Sequence, residues 1–154
     1  MSPGKITGWS LLAVFTGIQF IRPALNKQPG GAATDFATTW KVPPQVMQPL
    51  QHACYNCHSN HTNYPWYAYI QPVGWFLARH IRKGKAELNF SAFELYSTRR
   101  QISKLSGIGN SLKDGTMPPG SYTLMHPEAR LTNEEKDVII GWTTMVKDSL
   151  RQNN

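Results

Sequence analysis

The sequence predicts an all-α fold, and three observations lead to that prediction. Apolar residues recur at intervals of three and four in several separate segments, which is the spacing of one face of an α-helix. Helix-start signals precede some of these segments, and a glycine follows two of them. No segment alternates strongly between apolar and polar residues, as a half-buried strand would.

Two helices are expected in the middle of the chain. The first covers residues 43–58, and Pro49 is expected to bend it. The second begins at Pro72, a first-turn proline, and runs to about residue 82 before Gly84 ends it. The expected buried stripe of this second helix consists of Val73, Phe76, Leu77, His80 and Ile81.

Two further helices follow in the C-terminal half. Ser91 and Glu94 have the spacing of a capping box, in which two side chains satisfy the first free N–H groups of a helix. The next periodic segment ends at Gly115 and carries Ile102, Leu105, Ile108 and Leu112. The last helix covers residues 132–150, and Thr132 and Glu135 form its capping box.

The 154 residues divide into three predicted regions. Residues 1–26 are predicted to form an N-terminal membrane anchor or signal peptide, because residues 6–21 carry no charge. As a helix these sixteen residues would rise about 24 Å, which is short for a hydrocarbon core of about 30 Å. No small-x-small cleavage site follows closely, so an uncleaved anchor is favoured over a signal peptide. Residues 27–42, rich in proline and glycine, form a flexible linker with a reach of about 25 Å. Residues 43–150 form the folded domain.

The formal net charge of +7 favours an acidic partner over a nucleic acid. Lysine and arginine are spread along the chain without a compact basic block and without interleaved aromatic platforms. No nucleic-acid partner is therefore expected.

The most informative motif is Cys-Tyr-Asn-Cys-His at residues 54–58. At this spacing, two thiols on one helical turn can bond two vinyl groups of a haem, while the next histidine ligates the iron. Cys54, Cys57 and His58 are therefore predicted to hold one covalent haem c. Three other readings remain open: a redox-active disulfide, a structural disulfide, and a zinc site formed with His61 and with His52 in reserve.

Met117 is the predicted second axial ligand, because a thioether on the stiff loop Met117-Pro118-Pro119 can approach the open iron position without a large loss of entropy. The alternative is that Met117 fills a gap in the core. The substitute ligands considered are Met125, His126, Met47, His61 and His80.

Several motifs in order resemble the small haem-binding domain family of bacterial c-type cytochromes. These are the Cys-x-x-Cys-His-Ser motif, Asn63-Tyr64-Pro65-Trp66-Tyr67, Pro72-Val73-Gly74-Trp75, Leu88-Asn89-Phe90-Ser91, Met117-Pro118-Pro119, residues 126–131, and a terminal helix containing Trp142. The resemblance covers about residues 43–150. It implies a mostly helical, cytochrome c-like domain around one covalent haem, often preceded by a membrane segment, with electron transfer as the expected role.

Around the haem, the aromatic residues are expected to form a wall that excludes water; they are Tyr64, Trp66, Tyr67, Tyr69, Trp75 and Phe76. The carbonyl of Pro65 is a candidate acceptor for the Nδ1 proton of His58, and Arg79 and Arg82 are candidate partners of the haem propionates.

The expected function is that of a membrane-tethered monohaem c-type cytochrome, an electron carrier and not an enzyme. It would face the periplasm from the bacterial inner membrane. Its expected partners are redox proteins, with a membrane respiratory complex as one candidate. Two alternatives are a haem-based gas or redox sensor whose sixth ligand is displaceable, and a zinc-stabilised interaction domain.

Overall fold

The computed structural model describes residues 2–28 and 36–152. Its helices are α1 (Pro3–Ile18), α2 (Phe36–Thr39), α3 (Pro44–Leu50), α4 (Asn56–His58), α5 (Val73–Glu87), α6 (Thr98–Lys113), α7 (Gly120–Met125) and α8 (Asn133–Gln152). A π-turn covers Gln51–Tyr55, and 3₁₀ turns cover Trp66–Tyr69, Phe90–Leu95 and Pro127–Ala129. The all-α prediction is confirmed: over these residues no strand forms beyond an isolated bridge between Lys27 and His61.

The core lies where α3 and α6 pack against α8. Phe36 occupies its centre and is fully buried. The Phe36 ring centroid lies 4.8 Å from that of Phe93, 5.2 Å from that of Phe90 and 5.3 Å from that of Trp142. These tilted and edge-on contacts join α2 to the 3₁₀ turn Phe90–Leu95 and to α8. The aromatic cluster therefore connects the N-terminal and C-terminal parts of the domain.

The predicted first helix is present as one helical stretch from Pro44 to His58. Pro49 is buried within it, and the wider π-turn begins two residues later. Because proline has no N–H to donate, the regular hydrogen-bond ladder is interrupted at this point. The π-turn leads directly into α4, which ends at His58.

Helix α5 corrects the prediction in two respects. It continues to Glu87 and does not end at Gly84, because this glycine serves a close contact between helices and not a helix end. Its buried face consists of Gly74, Ala78 and Ile81. Val73 and Phe76, which were expected in the buried stripe, are 42% and 62% exposed.

Of the three remaining predictions about helix starts and ends, one is wrong and two are confirmed. The proposed capping box of Ser91 and Glu94 is wrong: Asn89 precedes a 3₁₀ turn there, and its side chain accepts a hydrogen bond from the Ser91 N–H. Helix α6 is followed by Gly115 at φ +65°, as a glycine after a helix end suggests. The box of α8 is confirmed, because Thr132 Oγ1 accepts from Glu135 N–H and Glu135 Oε2 accepts from Thr132 N–H.

The N-terminal region forms an exposed helix followed by a segment that is docked on the domain. Helix α1 has no buried residue. No helix in the described part of the chain has the length and apolar character needed to cross a membrane. Residues 19–28, here called the strap, are hydrogen-bonded to the domain: the Gln19 amide pairs with the backbone N–H and C=O of Gln71, and Trp75 Nε1 donates to Ile21 O.

The predicted linker, residues 27–42, is shorter than expected at both ends. Gln28 N–H donates to Asn60 O, so the strap still contacts the domain at that residue. From Phe36 onward the chain belongs to the core, because the Phe36 ring is more favourable among three aromatic neighbours than in water. The rest of the predicted linker, residues 29–35, lies outside the described residues.

Replacing Phe36 by alanine should lower the free energy of unfolding by about 3–5 kcal/mol, because it removes a large buried ring and leaves a cavity. Urea unfolding of the two proteins measures the difference. Leu95→Ala is the matched control, since Leu95 is 74% exposed, and it should change stability by no more than about 0.5 kcal/mol. Equal effects of the two substitutions would contradict this assignment of the core.

Candidate functional site

The structure brings Cys54, Cys57 and His58 together on successive turns of one helical stretch. Cys54 lies in the π-turn, and the other two lie in α4. Both cysteines are half-buried free thiols, and Cys54 packs against the hydrophobic core. Both thiols therefore lie on the same helical stretch as the histidine, and Cys54 lies beside the apolar core.

Burial keeps both thiols protonated at neutral pH. Burial, with a smaller contribution from nearby Cys57, raises the pKa of Cys54 to about 12. Burial also raises the pKa of the Cys57 thiol. A thiolate is the form that attacks disulfides, so this environment disfavours a redox-active disulfide. A thioether carries no charge and suits the same environment.

The imidazole of His58 is oriented by α5 and not by the Pro65 carbonyl that the sequence suggested. His58 Nδ1 lies 3.1 Å from the carbonyl oxygen of Leu88, the residue that follows α5. A carbonyl oxygen only accepts, so the proton of the neutral ring is on Nδ1 and the lone pair is on Nε2. The Pro65 carbonyl instead accepts from the Ala68 N–H within a local turn.

Burial lowers the pKa of His58, while the backbone hydrogen bonds to Leu88 and Gly84 and the charge of Glu87 oppose that shift. The net effect favours the neutral imidazole at neutral pH. Neutral imidazole is the form that ligates a metal. His58 therefore presents an oriented donor atom, Nε2.

Gly84 allows α5 to pass directly over the motif. A Cβ atom at Gly84 would lie 2.8 Å from the carbonyl oxygen of Cys57 and 3.4 Å from its Cβ. A real side chain does not tolerate the first of these distances, because the opposing atom belongs to the backbone. Because Gly84 has no side chain, α5 can approach the motif closely. This close approach allows the carbonyl of Leu88, four residues later, to contact His58.

Asn26 of the strap joins the N-terminal region to the same site, a role that no pattern in the sequence indicates. Its side-chain Nδ2 donates to Ser59 O and to Thr62 Oγ1, and its Oδ1 accepts from Lys85 Nζ of α5 at 2.7 Å. Its backbone N–H donates to the Tyr64 hydroxyl. The strap, the loop after His58 and α5 therefore meet at one asparagine.

Met117 lies on the loop that returns to the motif. The N–H groups of Thr116 and Met117 both donate to Ser111 O, which folds the chain back after α6, and the Met117 side chain is 40% exposed. Helix α7 follows, and its Tyr122 hydroxyl accepts from the side-chain Nδ2 of Asn56, inside the Cys-x-x-Cys-His motif. The loop that carries Met117 is thus anchored to the motif helix five residues later.

A second polar cluster lies beside the motif and consists of Tyr67, Tyr122, His126 and Glu128, here called the His126 cluster. His126 Nε2 lies 2.6 Å from the Tyr67 hydroxyl, and Nδ1 lies 2.9 Å from Glu128 Oε1. The Tyr122 ring stacks on the imidazole with centroids 4.4 Å apart. Both ring nitrogens of His126 are engaged, so this conformation does not offer His126 as a substitute iron ligand.

The arrangement of side chains does not support the hypothesis of a zinc site at the motif. Within residues 2–28 and 36–152, no three His, Cys, Asp or Glu side chains gather as a metal-binding group. His61, the proposed fourth ligand, is exposed, and its backbone N–H binds Ser59 Oγ. His80 is also exposed.

The aromatic residues that were predicted to form a wall around the haem have different contacts from one another in this structure. Tyr64 and Trp75 use their polar atoms to hold the strap, and Tyr67 belongs to the His126 cluster. Trp66 and Phe76 are exposed at 73% and 62%. The sequence identified these residues as aromatic, but it did not show which of them are buried.

Two clefts lie between the strap and α5, with volumes of about 540 and 240 Å³. Arg82 lines the larger one, together with Lys85 and Asn26, and Arg79 is exposed. Neither cleft is lined by Cys54, Cys57, His58 or Met117. They are therefore features of the strap and not of the motif.

Comparison with known proteins identifies a family for the chain. A family model described as a haem-binding domain matches residues 13–145, which include the strap, the motif and most of α8. No curated protein and no solved structure matches the chain significantly.

Gly84→Ala should impair the site although alanine is the better helix former. The new Cβ would meet the Cys57 carbonyl, so the free energy of unfolding should fall by about 1–3 kcal/mol, and less covalent haem should be bound per chain. Gly107→Ala in α6 is the matched control, because nothing lies within 4 Å of a Cβ there, and it should stabilise by about 0.5–1 kcal/mol. Urea unfolding and the ratio of haem to protein are the measurements. An unchanged haem ratio and stability in Gly84→Ala would contradict the proposed contact.

Proposed function

Because this chain belongs to the haem-binding domain family, we propose that it is a monohaem c-type cytochrome that carries single electrons. In this proposal Cys54 and Cys57 hold haem c covalently, and His58 and Met117 are the axial ligands of its iron. The observation that carries the proposal is the hydrogen bond of His58 Nδ1 to Leu88 O, which places the ring proton on Nδ1 and the lone pair on Nε2 in the residue next to two half-buried thiols.

The two thiols fit covalent attachment. Each S–H would add across a vinyl group, so that sulfur bonds one carbon and the hydrogen goes to the other, with no net oxidation or reduction. The product is uncharged, as the raised pKa values of Cys54 and Cys57 show this environment to prefer. The bonds would fix the cofactor to the helix that ends at His58.

His58 would supply the proximal nitrogen in a fixed orientation. The Leu88 carbonyl holds the Nδ1 proton, which sets the tautomer and increases the basicity of Nε2. Edge-on contact with the buried Phe90 ring, at 6.4 Å between centroids, limits rotation of the imidazole. The Phe90 ring also stacks on Tyr55 of the motif. The ring that contacts His58 is therefore held in place by the same helical stretch that carries His58.

Met117 would supply the sixth ligand. Its loop is folded back by Ser111 and anchored to the motif by Tyr122 and Asn56. When bound, the haem supplies a reversible one-electron couple, and histidine–methionine ligation raises its potential. With both axial positions filled by the protein, a substrate has no open site on the iron, which supports a carrier and not an enzyme.

We further propose that the domain works at the periplasmic face of a bacterial inner membrane, tethered by α1, and exchanges electrons with redox proteins. The apolar side chains of α1 are exposed on all sides of the helix, which supports contact with lipid. The net charge of +7 would steer an acidic redox partner, such as an exposed site of a membrane respiratory complex, to the domain.

A haem-based sensor is the second candidate, and one observation favours it. The Met117 side chain is 40% exposed, so its bond to iron would be open to displacement by a small gas. Binding of a gas to the native protein separates the two candidates.

Met117→Ala should remove the long-wavelength ferric absorption band of a methionine–iron bond and should make the ferrous protein bind carbon monoxide rapidly. The native protein should show the band and bind the gas slowly or not at all, because both axial positions are filled. Met145→Ala is the matched control: Met145 is 61% exposed on α8, and its loss should leave both properties unchanged. Absorption spectroscopy and stopped-flow mixing with carbon monoxide make the measurements.

Rapid gas binding by the native protein would favour the sensor over the carrier. An identical ferric spectrum in native protein and Met117→Ala would show that Met117 is not a ligand.

A further inference from the structure

A group of large apolar side chains is exposed on the side of the domain where the strap is docked. Trp66 is 73% exposed, Phe76 is 62% exposed and Val73 is 42% exposed. Tyr69 and Ile70, at 40% and 38%, complete the group. These five residues are here called the apolar face.

The residues of the apolar face lie on two neighbouring elements of the domain and on the connection between them. Trp66 and Tyr69 lie three residues apart in a 3₁₀ turn, which places them on the same side of that turn. Val73 and Phe76 lie three residues apart on one side of α5. The 3₁₀ turn packs against α5, and the short connection between them contains Ile70.

The apolar face also continues into the strap and α1. Gln19 is bonded to Gln71, next to Ile70, and Trp75, next to Phe76, donates to the carbonyl of Ile21. The strap adds Phe20 and Ile21 at this point, with exposures of 84% and 62%. Helix α1, which has no buried residue, therefore leaves the domain next to the apolar face.

The charge of the protein is concentrated in the same part of the chain. Residues 1–86 contain eight lysines and arginines and a single acid, Asp35, while residues 87–154 contain eight basic and eight acidic residues. On α5, Arg79 and Lys83 follow Phe76 at helical spacing on the same side of the helix. This side of α5 is thus apolar near the strap and basic towards its C-terminal end.

Tryptophan and tyrosine next to arginine and lysine are the residues that proteins place at the boundary between lipid tails and headgroups. Anionic headgroups also attract basic side chains at that boundary. An acidic protein partner would account for the charge, but it would not account for the exposed apolar helix that leaves the same surface.

We propose that the apolar face docks on an anionic lipid bilayer, with Trp66 and Phe76 in the headgroup region and Arg79 and Lys83 against the phosphates. This inference rests on the membrane location proposed above and adds a defined orientation to it. Gly84 lies eight residues after Phe76, about 12 Å along α5, so docking would hold the Cys54–His58 motif at a fixed height above the membrane. The domain would not swing freely on a tether.

Photocrosslinking of the full, haem-loaded chain in vesicles tests this. The photoreactive residue p-benzoylphenylalanine is placed singly at Trp66, Phe76 or, within α1, Phe15. Leu95 and Met145 serve as matched control positions, because both are exposed apolar residues away from the apolar face. Mass spectrometry identifies lipid adducts in phosphatidylglycerol-containing vesicles and in vesicles of phosphatidylcholine alone.

We expect lipid adducts at Trp66, Phe76 and Phe15 and none at the control positions Leu95 and Met145. The yield of adducts at Phe76 should fall in vesicles of phosphatidylcholine alone, and it should also fall in the double variant Arg79→Gln/Lys83→Gln. Adducts at Phe15 without adducts at Trp66 and Phe76 would overturn the docking and leave the membrane location intact. No lipid adduct at any position would overturn both. Crosslinks between two copies at Trp66 and Phe76 would show instead that the apolar face is a protein interface.

Discussion

Helix α5 crosses the Cys-x-x-Cys-His helix at Gly84, and the absence of a side chain there sets how closely the two helices approach. That approach brings the Leu88 carbonyl to His58 Nδ1 and leaves Nε2 as the free nitrogen. It also helps to bury Cys57, whose pKa rises for that reason. The tautomer of the histidine and the neutrality of the thiol therefore both depend on one helix crossing, and the proposed cofactor chemistry depends on them in turn.

The strap makes the N-terminal region part of the site. Asn26 contacts the loop after His58 and Lys85 of α5, so it helps to hold the two elements that form the crossing. Because Gln19 at the end of α1 is bonded to the backbone of Gln71, hydrogen bonds join α1 to the haem-binding domain close to the point where the helix ends.

The sequence predicted local features well, because local spacing determines them. The helix ending at His58, the capping box of Thr132 and Glu135, and the turn at Gly115 all depend on residues within one or two turns. The capping box of Ser91 and Glu94 is a local prediction that is wrong, because Asn89 accepts the hydrogen bond from the Ser91 N–H instead. The other errors came from long-range contacts. Gly84 looks the same in sequence whether it ends a helix or admits a neighbour, and only the approach of Cys57 distinguishes the two. Likewise, periodicity identified Phe76 as apolar but could not show whether protein or another surface covers it.

Extraction with acidified organic solvent tests the central claim most directly. The chain is first matured with a c-type haem attachment system, denatured and extracted, and the haem spectrum is then sought in the protein and in the solvent. We expect the haem to remain with the native polypeptide and cysteine alkylation to find neither Cys54 nor Cys57 free. We expect Cys54→Ala/Cys57→Ala to lose the retained haem. Complete release of haem from the native chain, with both cysteines open to alkylation, would contradict covalent attachment at this motif.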